Sequence, residues 1–251
     1  MSEIIWIAIG LITILLIVGL LGIYPEPRLM RTRFARLIYE NATLGDRLCE
    51  LFYGIVMVSV MIGIINISAS GYIHIQQVLL LVAFGVNIVW GIIDGATSVY
   101  GGLVDRAEED RIVNSLRKEK QNQQLRDELK ESLGDTAARK LSDEDQSKVV
   151  DMIQAGTPEE IGKYGASVDD VKSFLATFLM DFITVFPVII PLYVISGVKS
   201  AVFWSHFIAV LLFVMIGTIW AKRLNKNVVL AGIAFCILGM AIIAFAYYFG
   251  W

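Results

Sequence analysis

The run VLLLVAFGVNIVWGIIDGATSVYGGL, residues 78–103, carries one charged side chain, Asp94, in a stretch long enough to cross a bilayer. A hydrocarbon core of roughly 30 Å needs about 20 apolar residues, because a helix rises about 1.5 Å per residue. Comparable runs occupy residues 4–24, 51–69, 171–195, 201–221 and 228–251. None alternates with the period of a barrel strand, and lipid offers no partner for exposed backbone amides, so each is predicted to be a helix. The expected fold is all-α: a polytopic membrane protein with six transmembrane helices and a cytoplasmic helical insert between spans 3 and 4.

Composition agrees. Apolar residues make up 56%, charged residues 18%, and the mean hydropathy is +0.66, outside the usual range of a soluble domain. The chain divides into an N-terminal anchor (1–24), a basic cytoplasmic linker (25–50), spans 2 and 3 (51–103), the insert (104–170) and spans 4 to 6 (171–251). The first run lacks a basic start and a small-x-small cleavage site, so it reads as a retained anchor. Cys49 and Cys236 offer neither a disulfide framework nor a paired metal motif and read as packing residues.

Basic residues set the orientation. Arg28, Arg31, Arg33, Arg36 and Arg47 lie between spans 1 and 2, whereas the link between spans 2 and 3 has no Lys or Arg. Lys222, Arg223 and Lys226 follow span 5, against Lys199 alone between spans 4 and 5. The positive-inside rule then puts both termini outside and the insert in the cytoplasm. Basic residues distributed by topology in this way give no indication of a nucleic-acid partner.

The insert has eleven Lys and Arg against seventeen Asp and Glu, a local balance of −6. Its helix-start signals predict a folded segment. Ser142 with Asp145, Thr157-Pro158-Glu159-Glu160, and Ser167 with Asp170 each place an oxygen-bearing cap ahead of an acid, so helices are expected from about 143, 158 and 168. The last has no breaker before Pro187 and is expected to run straight into span 4, as span 3 is expected to continue past Asp105. Ile112, Val113, Leu116, Leu125, Leu129 and Leu133 form an intermittent apolar stripe, suited to packing on another insert helix or on a second subunit.

Function is read from polar groups at membrane depth, where a carboxylate costs several kcal/mol and is seldom kept without a use or a partner. Asp94 in span 3 and Asp181 in span 4 both fall roughly 10 Å inside the cytoplasmic boundary at about 1.5 Å per residue. Met57 and Met61 share one face of span 2 at i, i+4 spacing, and Asn87 precedes Asp94 by two turns on the same face. Oxygen and thioether ligands together suit a divalent transition metal. Each also has a plainer reading: methionine as core filler, Asn87 as a helix bridge, and the aspartates as capped or proton-sharing structural groups. Glu50, with Asp46, stands at the inner mouth of span 2, and Glu108 and Glu109 continue from span 3. Their field would gather cations, although a solvated helix face explains them equally well. Pro187 and Pro191 each remove a hydrogen bond from span 4, and Gly91, Gly95, Gly101 and Gly102 would allow close helix approach in span 3. His206 begins span 5 near the outer interface. No nucleophile stands beside a base, and there is no His cluster or phosphate-cradling Gly loop, so an enzyme is not expected.

The order of elements and several strings resemble the vacuolar iron transporter family over roughly residues 44–251. The strings are Asp94-Gly95-Ala96-Thr97-Ser98-Val99-Tyr100-Gly101-Gly102-Leu103 before the insert, Phe186-Pro187 through Pro191-Leu192-Tyr193, and Gly232 through Gly239-Met240-Ala241 toward Tyr247. The resemblance implies a homodimer that moves ferrous iron or manganese out of the cytoplasm in exchange for protons, with acids and methionines in the pore. The family's first pore helix has an Asp-Gly pair where this chain has Tyr53-Gly54. Either Asp94 and Asp181 stand in for that acid, or this is a relative without transport.

The expected function is a divalent metal transporter for Fe²⁺ or Mn²⁺. Asp94, Asp181, Met57, Met61, Asn87, Glu50, Glu108 and Glu109 are its candidate metal residues, and membrane lipid, protons and a second subunit its partners. No tightly bound cofactor is expected. The alternative is a non-transporting membrane scaffold whose insert binds a cytoplasmic partner.

Overall fold

The computed structural model describes residues 2–20, 32–68, 74–119, 121–134, 136–156 and 164–249. The described residues contain helices and no strand. They run as α1 (Ser2–Leu20), α2 (Arg33–Asn41), α3 (Leu44–Ser68), α4 (Ile75–Lys118), α5 (Gln123–Gly134), a 3-10 turn (Ala137–Lys140), α6 (Asp143–Gln154), α7 (Val168–Val194), α8 (Val198–Arg223) and α9 (Val228–Phe249).

Five of these, α3, α4, α7, α8 and α9, are long and apolar enough to cross a membrane. The protein is therefore an all-α, multi-pass membrane protein. Of the six expected spans, the first corresponds to α1, which is not among those five; its expected continuation to residue 24 lies outside the described residues. α3 begins at Leu44 rather than at residue 51. Thr43 and Asp46 form a capping box: Thr43 N–H donates to Asp46 Oδ2 (2.9 Å) and the Asp46 amide donates to Thr43 Oγ1 (3.2 Å). The expected linker also contains α2, capped by the Thr32 hydroxyl accepting from Ala35 N–H. α7 starts at Val168 and α6 at Asp143, as expected from Ser167 and Ser142. The start expected near 158 falls outside the described residues.

The chain forms two units. The first contains residues up to Thr97 and from Val168 onward. Its core is one cluster drawn from α1, α2, α3, α4, α7 and α8, including Leu51, Ile55, Val58, Ile62, Met180, Val188, Phe213 and Ile216, all at most 1% exposed. Phe52 fills its aromatic centre, with ring centroids 5.2 Å from Phe213, 6.0 Å from Phe235 and 6.3 Å from Trp220. α8 turns into α9 through Asn225 at φ 52°, a conformation asparagine tolerates, and Asn227 Oδ1 caps α9 by accepting from Val229 and Leu230 N–H. α7 stays helical through both prolines and buries two-thirds of its most apolar window, whereas α9 buries 11% and leaves its remaining apolar surface for lipid or another protein chain.

The second unit covers Ser98–Ser167. Leu116, Leu129 and Val150 close a small core with Ile112, Val113, Leu125, Leu133 and Ile153 around it. The intermittent apolar stripe thus packs on α6. Arg126 pairs with Asp151 and donates to Gln154 Oε1 (2.7 Å), while Lys130 reaches Asp143 (3.2 Å), so long side chains bind the rim of the α5–α6 hairpin.

Candidate metal centre

Three helices of the first unit bring one carboxylate each to a common point. Ligand oxygens of Glu50 on α3, Asp94 on α4 and Asp181 on α7 all lie within 4.8 Å of one another. Asp181 is 1% exposed, and neither of its carboxylate oxygens makes a hydrogen bond among the described residues; Glu50 Oε2 is likewise buried and unpartnered. Glu50 and Asp94 are half-buried.

Glycines allow this convergence. A Cβ on Gly54 would stand 2.2 Å from Thr184 Oγ1 and 3.2 Å from the Asp181 carbonyl, so α3 and α7 meet only because position 54 has no side chain. Cβ atoms on Gly91 and Gly95 would lie 3.1 and 2.9 Å from the carbonyl oxygens of Phe178 and Phe174, which brings α4 against α7 on either side of Asp94. Gly101 meets nothing within 4 Å and Gly102 only the Arg106 side chain at 3.8 Å, so the other two glycines of span 3 do not serve that purpose among the described residues.

Asn87 ties the three helices together. Its fully buried Nδ2 lies 3.2 Å from Gly54 O, 3.0 Å from Asp181 O and 3.3 Å from Thr184 Oγ1. Thr184 Oγ1 donates in turn to Asp181 O (2.6 Å). The helix-bridging reading of Asn87 therefore describes its nitrogen, whereas its Oδ1 is buried without a partner.

The remaining candidates are placed as follows. Met57 and Met61 lie on the α3 stripe that starts at Glu50 and passes through Gly54, about 10 and 16 Å farther along the helix at about 1.5 Å per residue, and both are half-buried. Glu108 and Glu109 are exposed on the second unit, with Glu108 paired to Arg111 at 2.9 Å, and neither belongs to the carboxylate cluster. His206 is buried, with Nε2 3.1 Å from Ser59 O and its ring against Tyr247. A helix starting at residue 51 would leave Glu50 at its mouth, whereas α3 starts at Leu44 and holds Glu50 in its second turn. The capping box at Thr43 and Asp46 is the sequence signal for that earlier start.

Two unit charges 4.8 Å apart repel by about 3 kcal/mol at an effective dielectric of about 20. Among the described residues none of the three acids is in an ion pair. Three carboxylates held this close need compensating positive charge, which protons or a metal cation can supply. An all-oxygen set of this kind suits a hard or borderline divalent ion.

The sequence model of the VIT family matches residues 55–251, a range that includes Asp94 and Asp181 and begins just after Glu50. No curated protein and no solved structure matches the chain.

Proposed function

As the chain belongs to the VIT family, a family of membrane metal-ion transport, we propose that it carries Fe²⁺ or Mn²⁺ from the cytoplasm outward through Glu50, Asp94 and Asp181, in exchange for protons. The observation that carries this reading is the meeting of three carboxylates from three helices, with both Asp181 oxygens buried and unpartnered. Charge balance supports exchange: a divalent ion entering the trio takes over the compensation that protons otherwise give, so the two flows are coupled. Met57 and Met61 extend the same face of α3 with softer donors, which favours a transition metal over Mg²⁺ or Ca²⁺. The arginine-rich link before α3 supports a cytoplasmic origin of the ion, and the unburied face of α9 leaves room for the second subunit of a homodimer.

The test uses proteoliposomes with a metal-quenched dye and a pH dye in the lumen. Mn²⁺ movement should change lumenal pH in step, and Asp94→Asn and Asp181→Asn should abolish both signals. Uptake at the wild-type rate in both variants would remove the trio from the mechanism.

A further inference from the structure

We propose that Arg33, Arg36 and Lys172 form a binding site for the phosphate group of an anionic ligand, an anionic phospholipid headgroup being the source at hand. These side chains, with Leu37, Glu40 and Asn41, line a cavity of about 230 Å³ between α2 and the beginning of α7. Three cations and one acid line it, and Asp169 stands beside it, paired with Lys172.

The position matches the membrane surface. Beyond Lys172, α7 has no Lys or Arg to its end at Val194, so this ammonium marks the last positive charge before the apolar run. α2 is a short amphipathic helix that buries Ala35 and Ile38, packs Phe34 against the core and exposes Arg33, Arg36 and Glu40 at i, i+3, i+7 spacing. A helix with an apolar underside and a basic upper face, resting on a spanning helix at its entry level, lies where lipid phosphates are found.

The existing ion pairs leave the cations available. Arg36 Nε stands 3.9 Å from Glu40 with both side chains over 60% exposed, and Lys172 reaches Asp169 at 2.6 Å while 45% exposed. Exposed pairs of this kind contribute little and rearrange readily around a multivalent anion. Guanidinium groups supply paired N–H donors that match phosphate oxygens, and Lys172 adds a point charge opposite them.

The site is tested by native mass spectrometry of the full-length protein extracted from vesicles of equimolar phosphatidylglycerol and phosphatidylcholine. The wild type should retain phosphatidylglycerol in preference, and Arg33→Gln, Arg36→Gln or Lys172→Gln should each lower the ratio about fivefold, as expected for one basic side chain beside an anionic surface. Glu40→Gln removes the one acid of the lining and should raise the ratio, which guards against a variant that merely misfolds. A second arm adds inorganic phosphate to the protein in neutral detergent. Saturable phosphate binding with the same side-chain dependence would identify a free anion as the source. Equal retention of the two lipids, together with phosphate binding that ignores all four substitutions, would overturn the proposal.

Discussion

Asn87 Nδ2 sits 3.0 Å from the Asp181 carbonyl oxygen, so the residue that supplies the most buried carboxylate of the trio is anchored through its backbone by a side chain from another helix. Replacing Asn87 by leucine keeps approximate volume but leaves the carbonyl contacts unmade, at a cost of about 1–3 kcal/mol. Asn87→Leu is expected to melt at a lower temperature in detergent and to lose the stabilisation that added Mn²⁺ gives the wild type. Melting of the variant at the wild-type temperature, with the wild-type gain on adding Mn²⁺, would show that the bridge does not support the site.

Gly54→Ala tests the close approach of α3 to α7. The new methyl would meet Thr184 Oγ1, which cannot rotate away without breaking its bond to Asp181 O. Overpacking of this type costs about 1–3 kcal/mol, and metal binding should fall with it. Combining it with Thr184→Ala should restore much of the loss, measured by calorimetry with Mn²⁺.

Glu50 precedes the stretch matched by the VIT family, and its contribution is separable. Its carboxylate removes an attraction of about 3 kcal/mol per cation charge when neutralised, at an effective dielectric of about 20. Glu50→Gln removes that attraction for both charges of the ion and should therefore weaken Mn²⁺ binding by roughly ten-thousandfold, whereas Tyr53→Phe, on a side chain 50% exposed, should leave it unchanged.

Within the insert, Leu129 is 2% exposed between Leu116 and Val150. Leu129→Ala should destabilise that unit by about 2–5 kcal/mol. Hydrogen exchange of the full chain should show faster opening across residues 112–153; unchanged protection there would contradict the packing.

The first turn of α6 should depend on pH. The Ser142 hydroxyl, followed by the Lys148 ammonium, holds the Asp145 carboxyl below its ordinary value. A depressed carboxyl contributes its stabilisation above its unfolded value and loses it as pH falls through the folded one. Protection of the Asp145 amide relative to its intrinsic exchange rate should fall on acidification through that range in the wild type, and Ser142→Ala should move the midpoint upward.

The sequence made the spans, the Ser142 cap and the unbroken start of α7 at Val168 legible because each rests on neighbours in the chain. The convergence of Asp94 and Asp181 was readable from matching depth, since depth follows from counting along two helices. What counting does not reveal is rotation about the helix axis. Gly91 and Gly95 face α7 while Gly101 meets nothing, and the residue types alone give no way to separate them. Glu50 belonged to the same difficulty: only the turn chemistry of Thr43 and Asp46 moves it from a mouth into the second turn of α3. Glu108 and Glu109, for which cation gathering and a solvated helix face fit the sequence equally well, are both exposed, and Glu108 pairs with Arg111.

Phe52 also bears on motion. Its ring is wedged among Phe213, Trp220 and Phe235, with Gly63 against Ala246 farther along the same helix, so α3 is keyed in azimuth to α8 and α9. A transport cycle that leaves this key in place must slide α4 or α7 instead, along the smooth track that Gly91 and Gly95 provide.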